Sequence, residues 1–250
     1  MIREGAFENY HTDVIFGQHI ITDFEVGTIG YKPGGTMASV DGLDITVRGN
    51  QTHGAYPWKG VDPIVTSAQI ILGLQSITSR QLDLTTAPAV ITIGSIHGGV
   101  RSNIIPDEVR MIGTIRSLDP EMRADIHQRI RRTAEWIALS AGATAEVTIT
   151  IDLPITYNDT DVTERMLPAL ERITGRDGLI LSKVHTGGED FAFFAEQIPG
   201  FYYFLGVRPK GTDPGEAIPL HSPYLFVDEG ALIYGVRAMA SLAVEYMMEK

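Results

Sequence analysis

Seven histidines and no cysteine confine any metal chemistry in this 250-residue sequence to imidazole and carboxylate donors. His19 stands in Gly17-Gln18-His19, directly after the apolar run Val14-Ile15-Phe16, and His221 in the rigid stretch Pro219-Leu220-His221-Ser222-Pro223. Neutral imidazole suits zinc- or manganese-type ions, so these two are candidate ligands or else loop histidines without a role. Two imidazoles do not complete a hydrolytic centre, which needs about three protein ligands, often with carboxylates. Glu189 and Asp190 follow Gly187-Gly188. A glycine pair lets backbone approach a ligand, and the first N–H groups of a helix attract an anion; the acids equally suit first-turn capping. His53, in Thr52-His53-Gly54-Ala55-Tyr56-Pro57, is of a type that polarises a carbonyl or holds an oxyanion. Asn103 and Arg116 could grip a substrate carboxylate, arginine through its fork; their ordinary readings are a turn residue and a surface charge. His11, His97, His127 and His185 carry less. His127 reads as solvated on an amphipathic helix, like the neighbouring face of Arg129, Arg131 and Arg132.

The elements that must position these residues fall into two patterns. In the middle of the chain, Leu43, Ile45 and Val47 alternate with polar residues as in a half-buried strand. Asp62-Pro63 and Asp119-Pro120 each open a helix, aspartate capping and proline taking the first helical position. The first is expected to bury Ile64, Ala68, Ile71, Leu72, Leu74 and Ile77; the second carries Met122, Ile126, Ile130, Ala134, Ile137 and Ala141. Strands over 89–96, 108–116 and 145–151 complete the order β-α-β-β-α-β, a ferredoxin-like unit. The flanks alternate strands (14–16, 26–30, 179–184, 201–205) with helices (161–174, 189–197, 228–248), as in a mixed α/β sheet. The fold expected is therefore an α/β domain, 1–35 and 152–250, interrupted by an α+β ferredoxin-like insert, 36–151. Residues 1–7 read as the tail of an amphipathic helix, and the thin α/β flank suggests the C-terminal part of a longer protein.

Composition narrows the function classes. Twenty Lys and Arg against 31 Asp and Glu give a net charge of −11, which argues against a phosphate-backbone partner. No apolar run approaches the roughly 20 residues of a membrane span, and the first residues lack a secretory layout, so a cytoplasmic protein acting on small molecules is expected.

Taken in order, Met37-Ala38-Ser39, His53-Gly54-Ala55, Gly60-Val61-Asp62-Pro63, Gly94-Ser95-Ile96-His97-Gly98-Gly99, Ile105-Pro106-Asp107-Glu108-Val109-Arg110, Gly187-Gly188-Glu189-Asp190-Phe191-Ala192 and Leu220-His221 resemble the amidohydrolase branch of the dinuclear metallopeptidases. That branch includes hippurate hydrolases, indole-3-acetyl-amino-acid hydrolases and other N-acyl-amino-acid amidohydrolases. The resemblance implies a catalytic α/β domain with an inserted lid that forms a homodimer. It makes His19 and His221 ligands of a two-metal site, manganese or zinc. It aims His53 at the scissile carbonyl, and Asn103, Arg116, Gly187, Gly188 and Glu189 at the substrate, an N-acyl amino acid cleaved to a carboxylate and an amino acid. The family's Cys and His ligands and its Glu-Glu pair, which supplies the general base, find no counterpart here and belong ahead of Met1. Trp58 stands where relatives often have histidine. Two other classes remain: a remnant that dimerises without turnover, and a small-molecule regulatory domain.

Overall fold

The computed structural model describes residues 1–8 and 11–248. In chain order its strands are β1 (Ile15–Glu25), β2 (Ile29–Tyr31), β3 (Gly34–Met37), β4 (Val40–Arg48), β5 (Thr52–His53), β6 (Ala89–Gly98), β7 (Ile104–Ile105), β8 (Glu108–Ser117), β9 (Thr144–Leu153), β10 (Thr156–Asn158), β11 (Leu179–Leu181) and β12 (Gly200–Arg208). The helices are α1 (Pro63–Arg80), α2 (Pro120–Ser140), α3 (Thr160–Thr174), α4 (Phe191–Ala195) and α5 (Ala231–Met248). The chain divides into unit 1, of Met1–Met37, Thr156–His185 and Glu189–Lys250, and unit 2, of Ala38–Ile155 and Thr186–Gly188.

Unit 2 is built on an antiparallel sheet in the order β6-β8-β4-β9. Period-two burial along β4 and β8 sends Leu43, Ile45, Val47, Val109, Met111 and Ile115 to one face, where they pack with Ile70, Leu74 and Ile77 of α1 and Ile126 and Ile130 of α2. Both helix starts are capped locally: Asp62 accepts from the amides of Ile64 and Val65, and Asp119 from that of Met122. Gly142, at φ 75°, turns the chain out of α2. The face of α1 differs from the sequence expectation. Thr66, Ser67, Ile70, Leu74 and Ile77 are buried, while Ala68 faces outward and Ile64 and Leu72 are 44% and 72% exposed. From Pro63 to Ser79 this helix has no charged residue, so apolar spacing alone left its phase undetermined.

Unit 1 holds the sheet β1-β12-β2-β11, with β1 parallel to β12, β12 antiparallel to β2, and β2 parallel to β11. All nine residues of β12 are buried. One face packs Phe201, Tyr203 and Leu205 against α3 and α5 residues such as Met166, Leu170 and Leu242; the other gathers Ile21, Phe191, Tyr202 and Phe204. β1 does not end at Gly17-Gln18-His19 but runs on to Glu25. Two of its polar side chains find partners within the strand pair: Gln18 Oε1 accepts the Tyr203 hydroxyl at 2.8 Å, and the His19 ring bonds the carbonyl of Ile20. Residues 1–7 contain one 3-10 turn, Ile2–Glu4, rather than a helix tail. The strand placed at 26–30 is Ile29–Tyr31, and the segment after it carries β3, paired antiparallel with β10. Helix 189–197 shrinks to the five residues of α4. Buried Asn158 ties these pieces together, donating to the carbonyls of Lys32 and Tyr202 and accepting from the Tyr202 amide. By length and composition α5 is apolar enough to cross a membrane; here it packs on α3 and β1, with Leu232, Val236 and Met247 exposed.

Candidate functional site

His19 lies mid-strand, opposite Phe204 in register, as Gly17 lies opposite Tyr202. These four residues therefore share one face of the sheet. A Cβ on Gly17 would stand 2.7 Å from the Phe191 ring and 2.8 Å from that of Tyr202, so glycine lets both rings close over the strand. His19 Nδ1 is 2.6 Å from the Ile20 carbonyl. A carbonyl only accepts, so Nδ1 carries the proton and Nε2 keeps its lone pair, the tautomer that a metal ligand needs. On the same face the Tyr202 hydroxyl donates to Glu189 Oε2 at 2.8 Å, and the other carboxylate oxygen takes the Phe191 amide at 3.4 Å. Burial, and then this carboxylate, push the Tyr202 phenol far above the ordinary tyrosine range. His185 packs its ring 4.5 Å from that of Phe204. Desolvation lowers its pKa, with Asp23 opposing.

His221 sits in an exposed turn at φ 65°, the one non-glycine residue with positive φ among those described. Such a conformation is uncommon even for histidine and costs energy unless the surroundings enforce it.

Unit 2 brings two further candidates together. The ribbon β5-β7 pairs His53 with Ile104, and the Gly54 amide donates to the Asn103 carbonyl at 2.8 Å. His53 is exposed, and its Nδ1 accepts the Ala55 amide at 3.0 Å. The proton is thus fixed on Nε2, the reverse of His19, and this imidazole presents a donor outward. The Asn103 side chain is exposed beside it. Arg116, near the end of β8, makes no side-chain hydrogen bond or ion pair among the described residues. Gly188 passes close by: a Cβ there would be 2.2 Å from Val40 Cγ2 and 3.5 Å from Arg116 Nη1. The Gly187 carbonyl accepts the Ala38 amide at 3.0 Å. The glycine pair thus serves close backbone packing, as its composition suggests.

His127 is not solvated: its Nε2 lies 2.7 Å from Oδ2 of Asp41, a fully buried carboxylate that Arg123 also clasps while bonding the Leu153 carbonyl at 3.1 Å. Asp41 and His127 are 86 positions apart, so no local spacing announces the pair.

The profile described as the peptidase dimerisation domain matches residues 39–141. Thermostable carboxypeptidase 2 of Saccharolobus solfataricus is 38% identical over 247 residues, covering 98% of this chain and 61% of that protein. The N-acetylcysteine deacetylase of Bacillus subtilis is 38% identical over 230 residues, 92% of this chain and 58% of its own. The YXEP protein of Bacillus subtilis, a dinuclear metal binding peptidase of the M20 family, superposes with a TM-score of 0.76 at 35% identity, over 97% of this chain and 59% of that one. The chain belongs to the M20 peptidase and amidohydrolase superfamily. It spans about 60% of the length of these M20 relatives. The dinuclear metal binding of the YXEP protein poses a test that the residues present here do not pass alone. His19 offers a lone pair in the right tautomer, yet no group of three or more His, Cys, Asp and Glu stands ready for a metal ion among the described residues.

Proposed function

We propose that unit 2 is the ferredoxin-like lid of an M20 amidohydrolase, that it pairs with a second copy of itself, and that the 250-residue chain alone is a dimerisation module without amidase turnover. The carrying observation is an asymmetry of charge. α1 has no charged residue from Pro63 to Ser79, yet Ile64, Val65 and Leu72 are exposed. The edge strand beside it, β6, has none from Ala89 to Gly98, with Val90 and Ile96 exposed. On the opposite side β9 carries Glu146 and Asp152, and α2 has charge on most turns. An uncharged edge is a template for another strand. In a two-fold interface a surface meets itself, so a patch without charge is self-compatible where a charged one repels its copy. The matched dimerisation profile covers both helices and all of the sheet but β9, which supports pairing through this unit, and the charge asymmetry selects the side of α1 and β6.

Sedimentation equilibrium tests it. The chain is expected to be a dimer, and the double substitution Val65→Asp, Leu72→Asp a monomer of unchanged helix content. Glu146→Lys on the far edge is expected to leave the dimer intact. A wild-type monomer, or dissociation by the β9 substitution alone, overturns the assignment.

A second reading concerns the complete enzyme. The deacetylase relative and the two opposed imidazole tautomers favour hydrolysis of linear amides of N-acyl amino acids at a pair of divalent ions, manganese or zinc. His19 and His221 would be partial ligands, and His53 would offer its Nε2–H to a substrate carbonyl. Asn103, Arg116 and the turn Gly187, Gly188, Glu189 would receive substrate. Turnover of N-benzoylglycine with manganese by the isolated chain, at ordinary enzyme rates, would overturn the silent-module reading and favour this one.

A further inference from the structure

His53 shares the end of its ribbon with two aromatic rings. Tyr56 sets its ring 5.3 Å from the imidazole, and Trp58 meets Tyr56 at 5.7 Å with the two planes 75° apart. The rings are 48% and 74% exposed. Water is a poor environment for them, yet the backbone keeps them there. The Tyr56 amide donates to the His53 carbonyl at 2.8 Å, the Lys59 amide to the Tyr56 carbonyl at 3.0 Å, and the Thr52 hydroxyl to that same carbonyl at 3.3 Å. Pro57 fixes one φ between the rings, and a Cβ on Gly60 would stand 2.4 Å from the Asn50 carbonyl oxygen, so the turn closes tightly behind them. Rings held in place beforehand lose little entropy when a ligand covers them.

Planes at 75° form a corner. A third planar ring can stack on one wall and meet the other edge to face, the two arrangements that aromatic pairs prefer. His53 turns its Nε2–H outward beside that corner, a donor for a carbonyl oxygen. Lys59 brings Nζ to 5.2 Å from the Tyr56 ring centroid. Lys59 and Arg101 are the charged residues of loops 52–60 and 99–104, which hold no acid on a chain of net charge −11, so the local field favours an anion. A planar ring, a carbonyl and a carboxylate are the three parts of an N-aroyl amino acid. An acetyl group in place of the aroyl would leave both walls of the corner wet.

We propose, on the reading that His53 gives its Nε2–H to a substrate carbonyl, that Tyr56 and Trp58 form an acyl subsite that selects a planar aromatic acyl group over acetyl. The sequence has two tryptophans, so Trp136→Phe leaves Trp58 as the one indole whose emission reports. Titration of this 250-residue variant with N-benzoylglycine is expected to change that emission saturably. Competition by N-acetylglycine at matched ionic strength is expected to need at least about tenfold more ligand. Tyr56→Ala is expected to cost benzoylglycine about tenfold in affinity and acetylglycine nothing, whereas His53→Ala should weaken both by one common factor. Trp58→Ala, followed by the line broadening of the benzoylglycine protons in NMR, should match Tyr56→Ala. Equal affinities for the two ligands, or a benzoyl preference left whole by Tyr56→Ala and Trp58→Ala, overturn the subsite whether or not His53 matters. Emission that does not respond to benzoylglycine up to its solubility overturns it as well. A preference that needs Tyr56 and Trp58 but is indifferent to His53 overturns the reading of His53 and leaves the ring selectivity standing.

Discussion

Whether an imidazole can bind a cation, donate to an oxygen or resist acid is decided by the one or two atoms that face it. His19 and His53 are chemically identical side chains, but a carbonyl partner leaves the first with a free Nε2 lone pair and an amide partner leaves the second with an Nε2–H. His185 shows the third behaviour. Packed on Phe204 and half removed from water, it favours its neutral form in the folded state. Its folded pKa lies below the unfolded value of about 6.5, so below that pH the unfolded chain binds more protons and stability falls. The lost stability is largely present again above about pH 6.5. For a full proton the slope would be about 1.4 kcal/mol per pH unit, and a ring this open to water realises only part of it. Urea midpoints measured from about pH 5 to 8 should therefore fall less steeply on the acid side for His185→Gln than for the wild type. Parallel curves for the two proteins would show that the ring is not desolvated enough to matter.

At the scale of elements, α2 acts as a clamp. Arg123 and His127, four residues apart on one helical face, reach the same buried carboxylate at the start of β4, and Arg123 also bonds the last residue of β9. Removing one partner strands a charge in the core. Arg123→Met should cost about 3–5 kcal/mol, and much of that should return when Asp41→Leu is added, because an apolar pair replaces a buried ion pair at little cost. A double-mutant cycle by urea unfolding measures this, and strictly additive losses would mean that the two residues are not coupled. What was legible in the sequence follows the same logic of range. The two Asp-Pro helix starts and the alternation of β4 are local, and they stand as expected. The clamp joins residues more than 80 positions apart, and the β5-β7 ribbon that sets Asn103 beside His53 consists of two-residue strands too short for any periodicity. Gly17-Gln18-His19 reads as a strand end because the partners of its two polar side chains, Tyr203 and the strand's own backbone, are set by the fold and not by local sequence. The buried face of α1 is not legible because a helix without charge from Pro63 to Ser79 offers no polar contrast.

The whole molecule has two separate cores rather than one. Every buried residue of the cluster around Ile45, Ile70 and Ile126 belongs to unit 2, and every one of the clusters around Phe201 and Phe204 belongs to unit 1. Since most stability comes from apolar burial, each unit owns the main source of its own free energy. Ile126→Ala and Leu170→Ala, both at fully buried positions, should each cost about 2–5 kcal/mol, but to different parts of the chain. Hydrogen exchange read peptide by peptide can separate them. Ile126→Ala should speed exchange across residues 38–155 and leave 156–185 and 200–248 protected, whereas Leu170→Ala should do the reverse. Loss of protection across both units from either substitution would mean that they unfold as one body. The monomer-making substitutions on α1 would then destabilise the sheet that holds His19 as well. If exchange instead stays confined, a monomer produced through Val65 and Leu72 keeps the His19 face intact, so the pairing of unit 2 can be measured apart from the stability of unit 1.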